Sequence, residues 1–374
     1  MYYKGLKIRL YPTKKQEELM WKSVGTARFV YNWTLEKQDK NHKNGGKFIK
    51  SNVLREQLTQ LKKTDEYGWL NEISSHLIHQ AVSDACDNYM RFIKNYAKYP
   101  NFKSKNKSKP SFYVRTDNLK PKEKSVNFEK IGRVKIKPNQ IPLGIKYYDT
   151  RCSYDGKYWY LSVVIKQEEN QLELNKDLSI GIDLGVTKLA VLSTGEVYHN
   201  INKSKEMLRL KKKLKRLQRQ YSRKREMNKQ GTEYVKTKNI IKLEKQIKLV
   251  YRRITNIRRN YNHHLTSDVI KQRPYRVVIE DLNVKGLMKN RHMSRAIGEQ
   301  CFYDIRHQFE YKCEKHGIEL VLADRWYPSS KICSCCGSIK RDLNRSARTY
   351  ICKECGLVID RDLNASINLS MYTQ

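Results

Sequence analysis

Two cysteine pairs near the end of the chain limit its fold more than any other feature. Cys333 and Cys336, then Cys352 and Cys355, form two C-x2-C steps separated by fifteen residues, and Gly337 and Gly356 follow the pairs directly. That is the spacing of a four-thiolate zinc ribbon. Glycine after each pair lets the backbone adopt positive φ and turn its amides toward the sulfurs. Four protein ligands close the tetrahedron, so the predicted Zn²⁺ is structural. Cys335 falls outside this register. With Cys86, Cys152, Cys301 and Cys313 it reads as a free thiol of a reducing compartment.

The chain has 374 residues, 39% of them hydrophobic and 30% charged, with a formal net charge of +38. The length suggests two or three domains, and the apolar share is enough for real cores. So large a positive excess repels itself unless a polyanion neutralises it. Nucleic acid is the first candidate and an anionic membrane the second. No apolar run approaches the ~18 residues of a membrane-spanning helix. The start, "MYYKGLKIRLYPTKKQ", lacks a signal-peptide apolar region, so an intracellular protein without a membrane partner is expected.

Along the chain, "YKGLKIRLYP" alternates as a strand, and Thr13 with Gln16 makes a capping-box pattern for the helix that follows. Further helices are predicted near 51–62 and from about Ser74 to Lys98. Residues 99–125 mix Lys, Ser, Asn and Pro with Phe102, Phe112 and Tyr113, which suits an edge that touches nucleic acid. Residues 126–167 are strand-like and, with the first strand, could close a small barrel. Two long helices broken near Gly231 are expected over 203–260, a segment with 22 Lys and Arg against 4 acids. A merely solvated hairpin alternates signs to gain i,i+4 pairs. This one does not, which points to a polyanion. One helix is expected through "GEQCFYDIRHQFEYKCEKHG".

Three acids carry the candidate chemistry. Asp183 interrupts the apolar strand "IGIDLGV", and a buried carboxylate is costly unless it is paired or binds metal. Glu280 ends "VVIE", and Asp362 opens the last helix, where an N-cap is the plain alternative. A strand Asp, a strand-end Glu and an Asp on a late helix follow the order of the ribonuclease H-like fold. Carboxylates gathered there suit Mg²⁺ or Mn²⁺, and two such ions can drive phosphodiester hydrolysis. The zinc ribbon would then be an insertion that fixes the entry to the last helix.

The motifs "IRLYPTKKQ", "ARFVYN", "SKPSF", "GIDLGV", "IEDLNVKGL", "YPSSKICSCCG" and "CGLVIDRDLNASINL" resemble the TnpB (OrfB) family over nearly the whole chain. That family comprises transposon-encoded RNA-guided DNA endonucleases related to compact type V CRISPR effectors. The resemblance implies a multidomain α+β protein: a wedge-like β-barrel over 1–10 and 99–172, and a helical recognition domain over 11–98. It further implies a RuvC-like nuclease over 173–325 and 357–374, with the ribbon over 326–356. The catalytic acids would be Asp183, Glu280 and Asp362, the last chosen over Asp360. The partners implied are a guide RNA transcribed from the transposon end and a double-stranded DNA target next to a short motif, in a prokaryotic cytoplasm at the nucleoid. His76, His79 and Gln80, with Thr116 and Asn118, match the family's DNA-reading helix and loop, and Lys211, Lys212, Lys215 and Arg219 suit RNA or heteroduplex phosphates. An RNA-guided repressor without cleavage, or a guide-independent DNA-binding or transposition protein, are the alternatives. Retention of all three acids favours the nuclease.

Overall fold

The computed structural model describes residues 2–105, 107–168, 172–344 and 347–373. The chain divides into two compact units, 3–167 and 168–374.

In the first unit, strand β1 (Tyr2–Tyr11) leads into helix α1 (Lys14–Lys43). The predicted capping box is formed: the Gln16 amide donates to Thr13 Oγ1 at 3.3 Å, and the Thr13 amide donates to Gln16 Oε1 at 3.0 Å. Helices α2 (Ser51–Leu61) and α3 (Ser75–Ile93) follow. α3 stops short of Lys98 because Asn95 turns to φ 58°, a left-handed conformation that asparagine tolerates. Then come β2 (Ser111–Tyr113), β3 (Ser125–Phe128), β4 (Gly132–Ile136), β5 (Tyr147–Tyr154) and β6 (Trp159–Gln167).

These strands form one six-stranded sheet in the order β2-β5-β6-β1-β4-β3. The expected barrel is not closed by hydrogen bonds: among the described residues no ladder joins the edge strands β2 and β3. Both are short, at three and four residues, and each already pairs inward. Sheet and helices share one core, in which Ile8, Met20, Leu58, Ile78, Phe128 and Leu161 are buried together.

In the second unit the strands are β7 (Asn175–Leu184), β8 (Lys188–Leu192) and β9 (Val197–His199). Helices α4 (Lys205–Met227) and α5 (Lys238–Lys271) make the basic hairpin, joined by the two-residue strands β10 (Lys229–Gln230) and β11 (Glu233–Tyr234). Met207, Leu217, Leu243, Val250 and Ile254 seal it. β12 (Pro274–Glu280) and the short helix α6 (Val284–Leu287) come next. The single helix expected after this point is two, α7 (Ser294–Gln300) and α8 (Phe302–His316). Cys301 breaks it with a left-handed φ of 58°. β13 (Glu319–Ala323), β14 (Thr349–Ile351), β15 (Val358–Asp360) and α9 (Arg361–Ser370) complete the chain.

The five-stranded sheet runs β13-β12-β7-β8-β9. β7, β12 and β13 are mutually parallel, while β8 and β9 continue antiparallel from β7. Side chains alternate faces along a strand. Ile180 and Ile182 of β7 and Val277 and Ile279 of β12 face α5 and α8, burying themselves with Leu265, Val269 and Phe309. Gly181 and Asp183 therefore face the opposite side, where α9 lies. A Cβ on Gly181 would sit 2.0 Å from the Ser366 carbonyl oxygen and 2.3 Å from the Ser370 nitrogen. Only glycine lets α9 come this close to the central strand.

Candidate metal centres

Ile182 and Ile279 pair across β7 and β12, so Asp183 and Glu280, one residue further on each strand, share the α9 face at the strand ends. Burial pushes the Asp183 carboxyl well above the ordinary carboxylate range, and the charges of Glu280 and Asp362 push it further, against Arg361. The Asp183 backbone pairs with Val191 in the sheet, and no side-chain hydrogen bond contributes to the shift of its carboxyl. Burial also raises Glu280, whose Oε1 accepts a hydrogen bond from Ser329 Oγ at 2.9 Å. Asp362 lies in the first turn of α9 with a side chain 13% exposed, 3.1 Å from an Arg361 guanidinium nitrogen and 3.8 Å from Lys188 Nζ.

The helix cap is supplied by Asp360, whose Oδ1 accepts from the backbone amides of Asp362 and Leu363. Its other oxygen takes Lys188 Nζ at 2.8 Å. Burial would raise Asp360, but the Lys188 bond and the capped amides hold it below its usual value. Four carboxylates (Asp183, Glu280, Asp360, Asp362) thus meet two cations (Lys188, Arg361), an excess of two negative charges when all are ionised. Carboxylates short of positive charge, three of them partly buried and Asp360 exposed, are the donor set a hard divalent cation wants. Their oxygens are not drawn into a tight cluster: among the described residues, the one group of three or more possible ligands gathered closely enough to hold a metal ion is the four cysteines, whose sulfurs lie within 4.8 Å of one another.

Those cysteines are Cys333, Cys336, Cys352 and Cys355, with Sγ–Sγ distances of 3.6 Å for 333–355 and 3.7 Å for 336–352. A tetrahedron with Zn–S bonds near 2.3 Å needs sulfurs about 3.8 Å apart. The cluster fits a zinc site. Gly337 and Gly356 have φ of 74° and 73°, and the Gly337 amide donates to the Cys333 carbonyl at 2.9 Å. Ser338 Oγ lies 3.2 Å from both Cys336 Sγ and Cys352 Sγ, and its hydrogen bond helps hold the Cys352 thiol down at about 6. Cys335 is exposed and outside the cluster.

The knuckle is tied to α9 by two asparagines that sequence reading did not single out. Asn364 Nδ2 donates to the Ile332 carbonyl at 2.6 Å, and its Oδ1 accepts from the Ser334 amide at 2.9 Å. Asn368 Nδ2 donates to the carbonyls of Ser329 and Ile332, both at 2.7 Å. Asn364 and Asn368 stand four residues apart on the buried side of the helix, among Ala365, Ser366 and Leu369. That spacing was the available signal.

Three family profiles match the chain. A profile described as "Cas12f1-like, TNB domain" covers 302–369, the stretch with α8, the cysteines and Asp362. One described as "Probable transposase" covers 162–291, and a "Helix-turn-helix domain" profile covers 1–47, where the structure has β1 and one continuous helix. A Streptomyces pristinaespiralis protein named an RNA-guided DNA endonuclease is 31% identical over 372 residues, covering 98% of this chain and 88% of the relative. The chain belongs to the TnpB family. The similarly named InsQ of Escherichia coli K12 is 28% identical, with 98% and 91% covered. The fold of this TnpB-family chain matches that in a solved Cas12f1–sgRNA–target DNA complex, with a TM-score of 0.61, 14% identity, and 99% and 98% of the two chains covered.

Of the nucleic-acid residues expected in this TnpB-family chain, the first group converges. His76 Nε2 and Arg115 NH1 lie 2.7 Å apart, which brings α3 against the loop that holds Thr116 and Asn118. Asn118 and Ser74 both donate to Glu129. Gln80 donates to Asp84, which Arg151 also grips, and burial with the nearby charges of Arg55 and Lys62 lowers His79. In the hairpin, Lys212, Lys215 and Arg219 are exposed. Lys211 differs, because its Nζ is held by Glu299 at 2.5 Å and by the Asn202 carbonyl at 3.2 Å. No helix among the described residues is long and apolar enough to cross a membrane.

Proposed function

We propose that this chain is an RNA-guided DNA endonuclease that hydrolyses phosphodiester bonds at Asp183, Glu280 and Asp362, on a RuvC-type, ribonuclease H-like sheet. The carrying observation is that Asp183 and Glu280, far apart in sequence, share one face at the ends of β7 and β12, where α9 brings Asp362, and that Asp183 feels the charges of both. The sheet, an antiparallel β7-β8-β9 meander with β12 and β13 added parallel to β7, supports the same reading. Relatives of similar length carry the endonuclease name.

Mg²⁺ or Mn²⁺, held by these carboxylates, would activate water and stabilise the leaving oxygen. The chain's own part is placement. Gly181 lets α9 seat Asp362 beside Asp183, Asp360 holds the start of that helix, and Ser329 orients Glu280. Lys188 and Arg361 offset part of the acid charge. Zn²⁺ on the four cysteines would stiffen the knuckle that Asn364 and Asn368 grip.

The guide RNA would come from the transposon end and supply sequence specificity by pairing, while the protein holds the heteroduplex by shape and charge. His76, His79, Gln80, Thr116 and Asn118 would read a short motif on the DNA, from the wedge and helical recognition regions of 1–172. Lys212, Lys215 and Arg219 would meet RNA or heteroduplex phosphates.

The test is cleavage of matched duplex DNA by the chain loaded with element-end RNA, compared with Asp183→Asn and Glu280→Gln. The expected result is metal-dependent cutting by the unaltered chain and none by either variant, with target binding kept by all three. Binding without cutting by the unaltered chain would make it a guided repressor. Cutting by both variants would place the chemistry elsewhere.

A further inference from the structure

A recess of about 220 Å³ opens beside Glu280, and Lys285, Tyr303, Arg306 and Arg325 help to line it. Tyr303 stands at the start of α8 and is 76% exposed. Its ring is parallel to that of His307, with centroids 6.3 Å apart and planes 7° apart. His307 in turn meets Tyr311 at 5.8 Å. Residues 303, 307 and 311 recur at helical spacing and form one stripe. A stripe of this kind usually packs into a core, but the Tyr303 ring lies mostly in solvent and faces a recess that holds an acid of the metal centre.

The charges around it are arranged for a strand's backbone. Arg306 and Arg325 both bind Asp281, at 2.9 and 2.7 Å, and Arg306 also binds Glu310 at 3.0 Å. Two acids therefore orient and balance two guanidiniums. Lys285 is exposed and makes no ion pair among the described residues, so its ammonium is open to a phosphate at the rim.

We propose that this recess is a stacking subsite for one unpaired nucleotide of the strand being cut. Its base lies on the open face of Tyr303, backed by His307, and its phosphate lies beside Lys285 and Arg325. The adjoining phosphodiester is thereby delivered to Glu280. A base inside a duplex has neither ring face free, so Tyr303 selects a locally single-stranded segment, and stacking does so with little regard to base identity. The nuclease reading is assumed only for what the strand meets next.

The test uses the guide-loaded full chain and its Tyr303→Ala and Tyr303→Phe variants. The matched duplex carries 2-aminopurine at successive positions of either strand, because stacking quenches its fluorescence. The subsite predicts a position quenched by the unaltered chain and by Tyr303→Phe but not by Tyr303→Ala. At saturating protein, Tyr303→Ala should cut roughly five- to 150-fold more slowly, the range for one stacked base, while Tyr303→Phe stays close to the unaltered chain. An abasic nucleotide at the quenched position should slow the unaltered chain to a similar degree and add nothing to Tyr303→Ala. No Tyr303-dependent quench, equal cutting by all three proteins, or additive losses would overturn the subsite. Quenching without cutting by the unaltered chain would leave the subsite standing and overturn the nuclease reading instead.

Discussion

Asp360 caps the helix that carries Asp362: its Oδ1 accepts the Asp362 amide at 3.0 Å, while its Oδ2 holds Lys188 at 2.8 Å. Both oxygens of Asp360 are thus engaged in structure. Asp183 feels the charges of both acids, that of Asp362 more than that of Asp360. Under the nuclease reading, Asp360 would hold the helix and Asp362 would serve the metal site, as the family resemblance implies.

Asp362→Ala should therefore abolish guide-dependent cleavage while leaving zinc content and target binding nearly unchanged. Asp360→Ala should lose a cap worth about 1 kcal/mol, lower the melting temperature and reduce cleavage only in part. Side-by-side cleavage, zinc stoichiometry and thermal melts decide it. Cutting by Asp362→Ala with none by Asp360→Ala would reverse the assignment.

Removing zinc should act on cleavage at a distance. Cys352→Ser, or chelation of the cluster, releases the knuckle that Asn364 and Asn368 hold through Ile332 and Ser329. Ser329 also orients Glu280. A displacement of about 1 Å at a reacting group can cost on the order of a hundredfold. The expected outcome is zinc loss with strongly reduced cleavage, and Asn368→Ala should reproduce the cleavage defect with zinc retained. Full activity in the zinc-free protein would break this link.

Gly181→Ala tests the close approach of α9. The added methyl would meet the Ser366 carbonyl oxygen at 2.0 Å, inside any real contact. Overpacking of this kind costs roughly 1–3 kcal/mol, and the helix that yields is the one bearing Asp362. The variant should unfold at a lower denaturant midpoint and cut poorly. Normal cleavage together with normal stability would mean that α9 adjusts without moving its acid.

The two centres were legible to different depths. The cysteines were readable because a tetrahedral ion imposes both residue type and spacing on a short segment. The capping box at Thr13 and Gln16 was readable because both partners lie within one turn. The acids could be singled out only as an order along the chain; that Asp183 and Glu280 share a face comes from the strand register, and the hold on Asp360 from Lys188, which lies 172 residues earlier and reaches it through the sheet. The break at Cys301 is invisible in the sequence because a non-glycine residue there adopts the left-handed region. Sheet closure was over-read for a related reason: strand patterns fix faces, while closure depends on which edges come within bonding distance.

The basic hairpin shows how one stripe of like charges holds residues in unlike surroundings. Lys212, Lys215 and Arg219 project into solvent, whereas Lys211 is 19% exposed and bonded to Glu299, itself 21% exposed. Arg258 and Arg295 also approach that carboxylate, at 3.7 and 3.4 Å. Charge reversal at Lys212, Lys215 and Arg219 should weaken RNA binding. The slope of log affinity against log salt should fall by somewhat under one unit for each phosphate that is no longer neutralised. Stability should change little, since exposed cations contribute little to the fold. Lys211→Glu should do the opposite. It replaces a charge-assisted hydrogen bond with a repulsion, costing on the order of 2 kcal/mol, and lowers the denaturant midpoint while the salt slope stays near that of the unaltered chain. Binding isotherms across a salt series, paired with denaturant titrations of the RNA-free protein, separate the two effects. Equal slopes for the triple variant and the unaltered chain would return the exposed stripe to the role of a solvated face.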